Sequence, residues 1–180
     1  FNRPVVERLR TLGPFGFGAA GIGNLYREVT DEAARAVVEE AWRVGVRYFD
    51  TAPYYGFGLS EKRLGQVLRQ YPRQEYILST KVGRILKPCE PAMPRHGFYS
   101  SMPFEPVFDY TYDGILQSFE DSINRLGIGS IDILLMHDIG GYTHGASAEK
   151  YFLQATREGG FRAMQELREQ GKVGAIGLGV

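Results

Sequence analysis

Four apolar runs, at residues 46–50, 76–81, 131–137 and 173–178, are continuous rather than alternating, and a helical pattern precedes each of them. Continuous apolar strands are those covered on both faces, the condition of a parallel sheet layered with helices. Strict alternation of helix and strand makes each connection a crossover, and such crossovers are right-handed. The handoffs share a form, in which a helix ends at glycine and a strand begins within a few residues. The first helix is expected from about Asp31 to Val44, capped by Thr30, with Asp31 and Glu32 in its first turn and Ala34, Val37, Val38 and Ala41 on one face. Gly45 ends it. The second begins at a Ser60 cap and carries Leu64, Val67 and Leu68 toward Tyr71-Pro72. The third, about Tyr112 to Leu126, aligns Leu116, Phe119, Ile123 and Leu126 before Gly127; the fourth, about Gly160 to Gln170, uses Phe161, Met164 and Leu167 before Gly171.

Alternation alone does not choose between an open doubly wound sheet and a closed barrel. The choice falls on a (β/α)8 barrel because the residues with chemical potential stand at the ends of several different strands, where barrel enzymes carry their chemistry. A closed barrel takes at least about 200 residues, and 180 residues with about five strand patterns fall short of one. The chain begins at Phe1 and stops at Val180 inside an apolar strand pattern. Residues 1–180 are therefore expected to be the N-terminal part of a single (β/α)8 domain, an open arc whose first and fifth strands lack partners on their outer edges.

Lys+Arg and Asp+Glu balance at 21 each, with no basic face, which argues against nucleic acid and acidic membranes as partners. The single cysteine, Cys89, allows no internal disulfide, and neither a signal segment nor a membrane-length apolar run is visible, so a cytoplasmic setting is expected. One long irregular stretch, about thirty residues from Val82 to the third helix, interrupts the alternation. It holds Pro88, Pro91, Pro94, Pro103 and Pro106 with Phe98, Tyr99, Phe104, Phe108, Tyr110 and Tyr112. Following a strand that ends in lysine, it is expected to rise on the active-site side and to lend aromatics to a substrate wall; the alternative is a rigid loop packed on itself.

The chemistry starts at Asp50-Thr51-Ala52-Pro53-Tyr54-Tyr55-Gly56, where a buried strand opens into a loop with a carboxylate and a phenol five residues apart. A lysine nearby would stabilise phenolate over phenol, and Lys81 closes the next strand while His137 closes the one after. On pattern alone, a loop tyrosine such as Tyr55 is most often packing, and His137 reads first as a satisfied core histidine. Lys81 ending an apolar strand already asks for a partner. A metal site on His137 and Asp138 lacks a third ligand at recognisable spacing. Gly16-Phe17-Gly18-Ala19-Ala20-Gly21 fits G-x-G-x-x-G, but a dinucleotide fingerprint needs its helix to open at the glycines, and here helix begins only near Thr30.

G-V-R-Y-F-D-T-A-P-Y-Y-G with S-E-K-R-L-G (Gly45 to Gly65), S-T-K-V-G (Ser79 to Gly83) and D-I-L-L-M-H-D (Asp132 to Asp138) resemble the aldo-keto reductases. The resemblance covers essentially the whole chain. It implies an NAD- or NADP-dependent oxidoreductase with Tyr55 as proton donor or acceptor, Lys81 as the charge beside it, Asp50 holding Lys81, and His137, neutral, orienting the substrate oxygen. It also implies that backbone at Gly18, Ala19 and Ala20, together with Asp50, meets the cofactor. Phe108 to Gly127 and His137 to Gly145 further resemble the bacterial branch of D-threo-aldose 1-dehydrogenases and pyridoxal 4-dehydrogenases. That branch implies oxidation of an aldose at C1 to the lactone, with pyridoxal 4-dehydrogenase or a general aldehyde reductase as alternatives. A non-catalytic channel-associated subunit of the same fold is the alternative of another class. Many members carry Ser-Asn after the fifth strand; Gly177-Leu178-Gly179-Val180 stand there instead.

Overall fold

The computed structural model describes residues 4–90 and 95–180. In chain order the elements are α1 (Val5–Thr11), β1 (Phe17–Gly18), α2 (Asp31–Arg43), β2 (Tyr48–Asp50), α3 (Leu59–Leu68), β3 (Ile77–Val82), β4 (Arg84–Pro88), β5 (Phe104–Phe108), α4 (Tyr112–Leu126), β6 (Ile131–His137), α5 (Gly141–His144), α6 (Ala148–Thr156), α7 (Gly160–Glu169) and β7 (Val173–Gly179). One parallel sheet runs β1-β2-β3-β6-β7, and β4 pairs with β5 in a separate antiparallel ribbon. Among the described residues β1 and β7 have no strand partner on their outer edges, the open arc expected of five strands.

The helices form for the reasons the sequence gives. Thr30 accepts the Ala33 N–H at 3.2 Å to cap α2, and Thr111 accepts the Gly114 N–H at 3.1 Å to cap α4. Gly45, Gly127 and Gly171 take positive φ at the helix ends. Ala34, Val38 and Ala41 bury the inner face of α2, whereas Val37, expected beside them, is 44% exposed. The buried stripe steps by four and three residues and leaves position 37 on its flank.

Two expectations are corrected. Ser60 does not cap α3; Gly58 does, at φ 96, and Ser60 is buried in the first turn. Its hydroxyl donates to the Ala19 carbonyl at 2.7 Å and meets the Thr51 hydroxyl at 2.8 Å, fastening α3 to the ends of β1 and β2. The insertion after Val82 is also not irregular throughout, because β4 and β5 pair from Arg84 opposite Phe108 to Pro88 opposite Phe104. A two-stranded ribbon is all edge, so Pro88 and Pro106 fit within it. Pro91 and Pro94 lie outside the described residues.

Helix α1, which sequence patterning did not reveal, covers the end of the sheet opposite the strand C-termini. Arg8 and Arg73 both reach the fully buried Asp132 carboxylate at 2.5 Å, and Asp132 also accepts the Leu78 N–H at 2.8 Å. This ion cluster at the N-terminal end of β6 holds the floor, and the C-terminal ends stay free for chemistry. No helix among the described residues is long and apolar enough to cross a membrane.

Candidate active site

Parallel register brings the strand ends level. Gly18 stands opposite Asp50, Asp50 opposite Ser79, Lys81 opposite Leu135 and His137 opposite Gly179. Side chains two apart on a strand share a face, so Ser79 and Lys81 both turn toward Asp50. The Asp50 carboxylate accepts the Ser79 hydroxyl at 2.6 Å and the Lys81 ammonium at 2.7 Å, and Lys81 donates again to the Thr51 carbonyl at 2.9 Å. The Tyr48 hydroxyl lies 3.1 Å from Ser79 Oγ. Lys81 is nearly buried, and its stem packs against Gly179, where an added Cβ would stand 3.4 Å from Lys81 Cε. A buried ammonium with a carboxylate and a carbonyl for partners has one direction in which to act, and its nitrogen lies 4.8 Å from the centre of the Tyr55 ring.

Tyr55 is half-buried on the loop after β2, its N–H given to the Ala52 carbonyl and its carbonyl taken by the Ser60 N–H. The His137 ring meets it edge-on, centroids 6.1 Å apart at 88°. Asp50, Lys81, Tyr55 and His137 thus form one continuous run of contacts across three strand ends.

His137 is 8% exposed. Burial pushes its imidazole down to about 3, Arg84 and Lys81 push the same way, and Asp138 opposes them. The ring is therefore neutral near pH 7 and can donate a hydrogen bond without carrying charge. Its Nε2 lies 3.5 Å from an Asp138 carboxylate oxygen, beyond an ordinary N–H···O hydrogen bond but close enough for the carboxylate's charge to bear on the ring. Its carbonyl accepts the Tyr110 hydroxyl at 2.6 Å. Tyr110, fully buried, is itself pushed upward, chiefly by burial.

The neutral buried ring has a consequence for stability. The unfolded chain takes up a proton near pH 6.5 and the folded chain only near 3, so stability is fully present above about pH 6.5 and falls as pH drops toward 3. Between pH 6.5 and 5, where carboxylates stay ionised, the loss should approach about 1.4 kcal/mol per pH unit for each such histidine. His144 is lowered too, by burial and then Arg84, and adds to that slope. Urea midpoints across this window should flatten in His137→Gln; a slope equal to the parent's would refute the assignment.

Gly18 is exposed, with no atom within 4 Å of where a side chain would begin. Ala19 is buried, its N–H given to the Asp50 carbonyl at 2.8 Å and its carbonyl accepting Ser60, while Ala20 is half-buried. Backbone at Gly18 is thus free to be approached, whereas Ala19 has no spare N–H to offer. The G-x-G-x-x-G stretch becomes β1 and a short helical turn at Gly21–Gly23, with α2 starting only at Asp31. The insertion's aromatics pack mainly against rings of neighbouring segments. Phe98 is buried against Tyr54 and Phe57, and Phe108 lies against Tyr110, His144 and Tyr151. Among the described residues no cluster of His, Cys, Asp and Glu is arranged to hold a metal.

Sequence reasoning missed four supporting residues. Ser79 carried a signal, two places before Lys81 on the same strand. Thr51 and Arg84 carried none, and Tyr110 was read only as one of the insertion's aromatics, since their partners are set by tertiary packing.

The aldo/keto reductase family model matches residues 14–179. The chain belongs to that family. It is 43% identical to a pyridoxal 4-dehydrogenase of Microbacterium luteolum, over 94% of this chain and 52% of that protein, and 41% identical to a D-threo-aldose 1-dehydrogenase of a Pseudomonas species, over 91% and 49%. The holo form of an aldo-keto reductase from Bacillus halodurans superposes with a TM-score of 0.65 at 26% identity, covering 93% of this chain and 46% of that one. The chain spans about half the length of the curated relatives it matches, and its five parallel strands form part of the family's (β/α)8 barrel.

Proposed function

We propose that this chain carries the catalytic part of an NAD(P)-dependent oxidoreductase, one segment of a single barrel domain, which oxidises a small cyclic hemiacetal of the aldose type at C1 to its lactone. The observation that carries the reading is the Tyr55 ring set between the Lys81 ammonium at 4.8 Å and the His137 ring at 6.1 Å. Bound nicotinamide would supply the hydride acceptor in oxidation and the donor in reduction. Exposed Gly18 beside Asp50, with open space where a side chain would stand, fits a cofactor approach at the ends of β1 and β2.

The chain's own residues handle the proton and the alignment. In oxidation the hemiacetal O–H bond breaks and its proton passes to the Tyr55 oxygen, while the electrons of that bond close the lactone carbonyl as the C1 hydrogen leaves with its pair. Lys81 favours the anionic oxygen that accepts the proton, and Asp50 with Ser79 prevents Lys81 from turning away. His137 donates to the substrate oxygen and fixes its position. Reduction of an aldehyde reverses each movement.

Pyridoxal is the second reading, favoured by the 43% identity to a pyridoxal 4-dehydrogenase. Pyridoxal also closes to an internal hemiacetal through its neighbouring hydroxymethyl group, so the same residues suit both. Steady-state assays of the full-length protein with L-fucose, D-arabinose and pyridoxal, each with NAD⁺ and NADP⁺, decide the matter. Turnover of a sugar above pyridoxal supports the first reading, the reverse order supports the second, and no turnover of any pair rejects both.

A further inference from the structure

Arg84 moves no proton in the proposed reaction, yet it is 5% exposed at the first position of β4 and its charge bears on the His137 ring. Its Nη2 donates to Asp138 Oδ2 at 2.6 Å. The same Asp138 oxygen lies 3.5 Å from His137 Nε2. The guanidinium carbon is 4.4 Å from the centre of the Tyr54 ring and 4.5 Å from that of Phe108, and Tyr54 in turn meets His137 edge-on at 6.2 Å. Arg84 Nη1 is buried without a hydrogen-bond partner in the structure. A buried guanidinium with one nitrogen unsatisfied is a poor way to gain stability, so the arrangement calls for another reason.

Asp138 supplies a second sign. It follows His137 directly and takes φ 53, a left-handed conformation that aspartate tolerates better than most non-glycine residues. That turn accompanies a carboxylate folded back toward the imidazole that precedes it, and the Asp138 N–H is tied to the Gly179 carbonyl at 2.8 Å.

We propose that Arg84 and Asp138 are a positioning pair for His137, by which the β4–β5 hairpin sets the tilt of the imidazole toward the substrate oxygen. The inference rests on the role given to His137 above. One carboxylate oxygen faces both the guanidinium, which donates to it at 2.6 Å, and the imidazole nitrogen at 3.5 Å, so the guanidinium takes the stronger contact. Asp138 can therefore bias the ring's single proton toward Nε2 by its charge, without a second proton being captured to make an imidazolium, and with no direct hydrogen bond formed that N–H stays available to the substrate oxygen. A planar guanidinium over two aromatic rings is held in a way that an ammonium would not be. The charged and titratable groups facing His137 are Arg84 from β4, Lys81 from β3 with Asp50 behind it, Asp138 itself, Tyr54 and Tyr55 from the loop after β2, Tyr110 ahead of α4 and His144 from α5.

The test compares Arg84→Met, Arg84→Lys, Asp138→Asn and the double Arg84→Met/Asp138→Asn in the full-length protein. It reads kcat against pH, the ¹⁵N ring signals of His137, cofactor affinity by fluorescence quenching and thermal midpoint. In Arg84→Met the unopposed Asp138 carboxylate should draw a proton onto His137, so the ring should titrate at higher pH than in the parent and kcat should fall roughly ten- to a hundredfold on the acid side. Cofactor affinity should be unchanged. Arg84→Lys should recover part of that loss, and the double variant should return the ring to its neutral form while staying slow. A merely structural pair would lower the thermal midpoint and leave the shape of the pH profile and the ring signals as in the parent, and that outcome overturns the proposal. Should Arg84→Met fail to fold, Asp138→Asn decides alone: a changed tautomer balance in the ¹⁵N signals with lowered kcat supports the pair, and unchanged signals overturn it. Loss of activity in Tyr55→Phe is independent of all four variants, so failure of the positioning pair and failure of the catalytic reading are told apart.

Discussion

Tyr55→Phe should lose about 10² to 10⁴ in turnover, the span of a general acid–base contribution, while the protein stays folded and binds cofactor as before. The substitution removes one oxygen and keeps the ring. Phenylalanine still offers its face to Lys81, 4.8 Å from the tyrosine's ring centre, and its edge contact to His137. The site is half-buried, with no side-chain hydrogen bond from Tyr55 among those described, so little stability is at stake. Single-turnover kinetics with saturating cofactor separate the chemical step from binding. Turnover equal to the parent's would mean that another residue moves the proton, and would end the role given to Tyr55.

The parts of this molecule that were legible in its sequence are those governed by local rules. Continuous apolar runs identified the four longer strands of the sheet because a strand covered on both faces has no polar side. Glycines at 45, 127 and 171 marked helix ends because each takes a backbone angle that other residues resist. Asp50 and Lys81 stood out because a charged group closing an apolar strand needs a reason, whereas Tyr55 and His137 read on pattern alone as packing residues and took their roles from the family resemblance. What was not legible depends on contacts between distant segments. The pairing of β4 with β5 joins residues about twenty apart through a proline-rich connection, and prolines argue against a strand unless it is known to be an edge. Ser60 has the composition of a helix cap, but its partner is the Ala19 carbonyl, forty-one residues away, which no helix rule anticipates. Arg84 reaches Asp138 and Tyr110 reaches the His137 carbonyl only through the fold, so neither partnership has a local signature. The face of α2 was read one residue too wide at Val37 because periodicity gives the direction of a stripe better than its edges.

Gly56→Ala should be the most damaging single methyl group at the site. Gly56 has φ 64, and an added Cβ would stand 2.3 Å from the Gly23 carbonyl oxygen and 3.0 Å from Leu59 Cβ. Gly23 in turn leaves no room for a side chain, since its Cβ would fall 2.8 Å from the Tyr55 carbonyl carbon. The loops after β1 and β2 therefore press backbone against backbone directly beside Tyr55, and the obstacle is main chain rather than a flexible tip that could swing aside. The positive φ alone costs about 1 kcal/mol when alanine must adopt it. Relieving the clash requires the loops to separate, which carries Tyr55 away from Lys81 and His137. A displacement of about 1 Å can cost on the order of 10²-fold in rate, so turnover should fall by that order even at temperatures where the variant is folded. Gly21→Ala serves as the comparison, because nothing lies within 4 Å of its added carbon and its thermal midpoint should stay near the parent's. If Gly56→Ala retained full turnover, the Tyr55 loop would not depend on this contact, and the close approach of Gly23 to Gly56 would be packing without catalytic consequence.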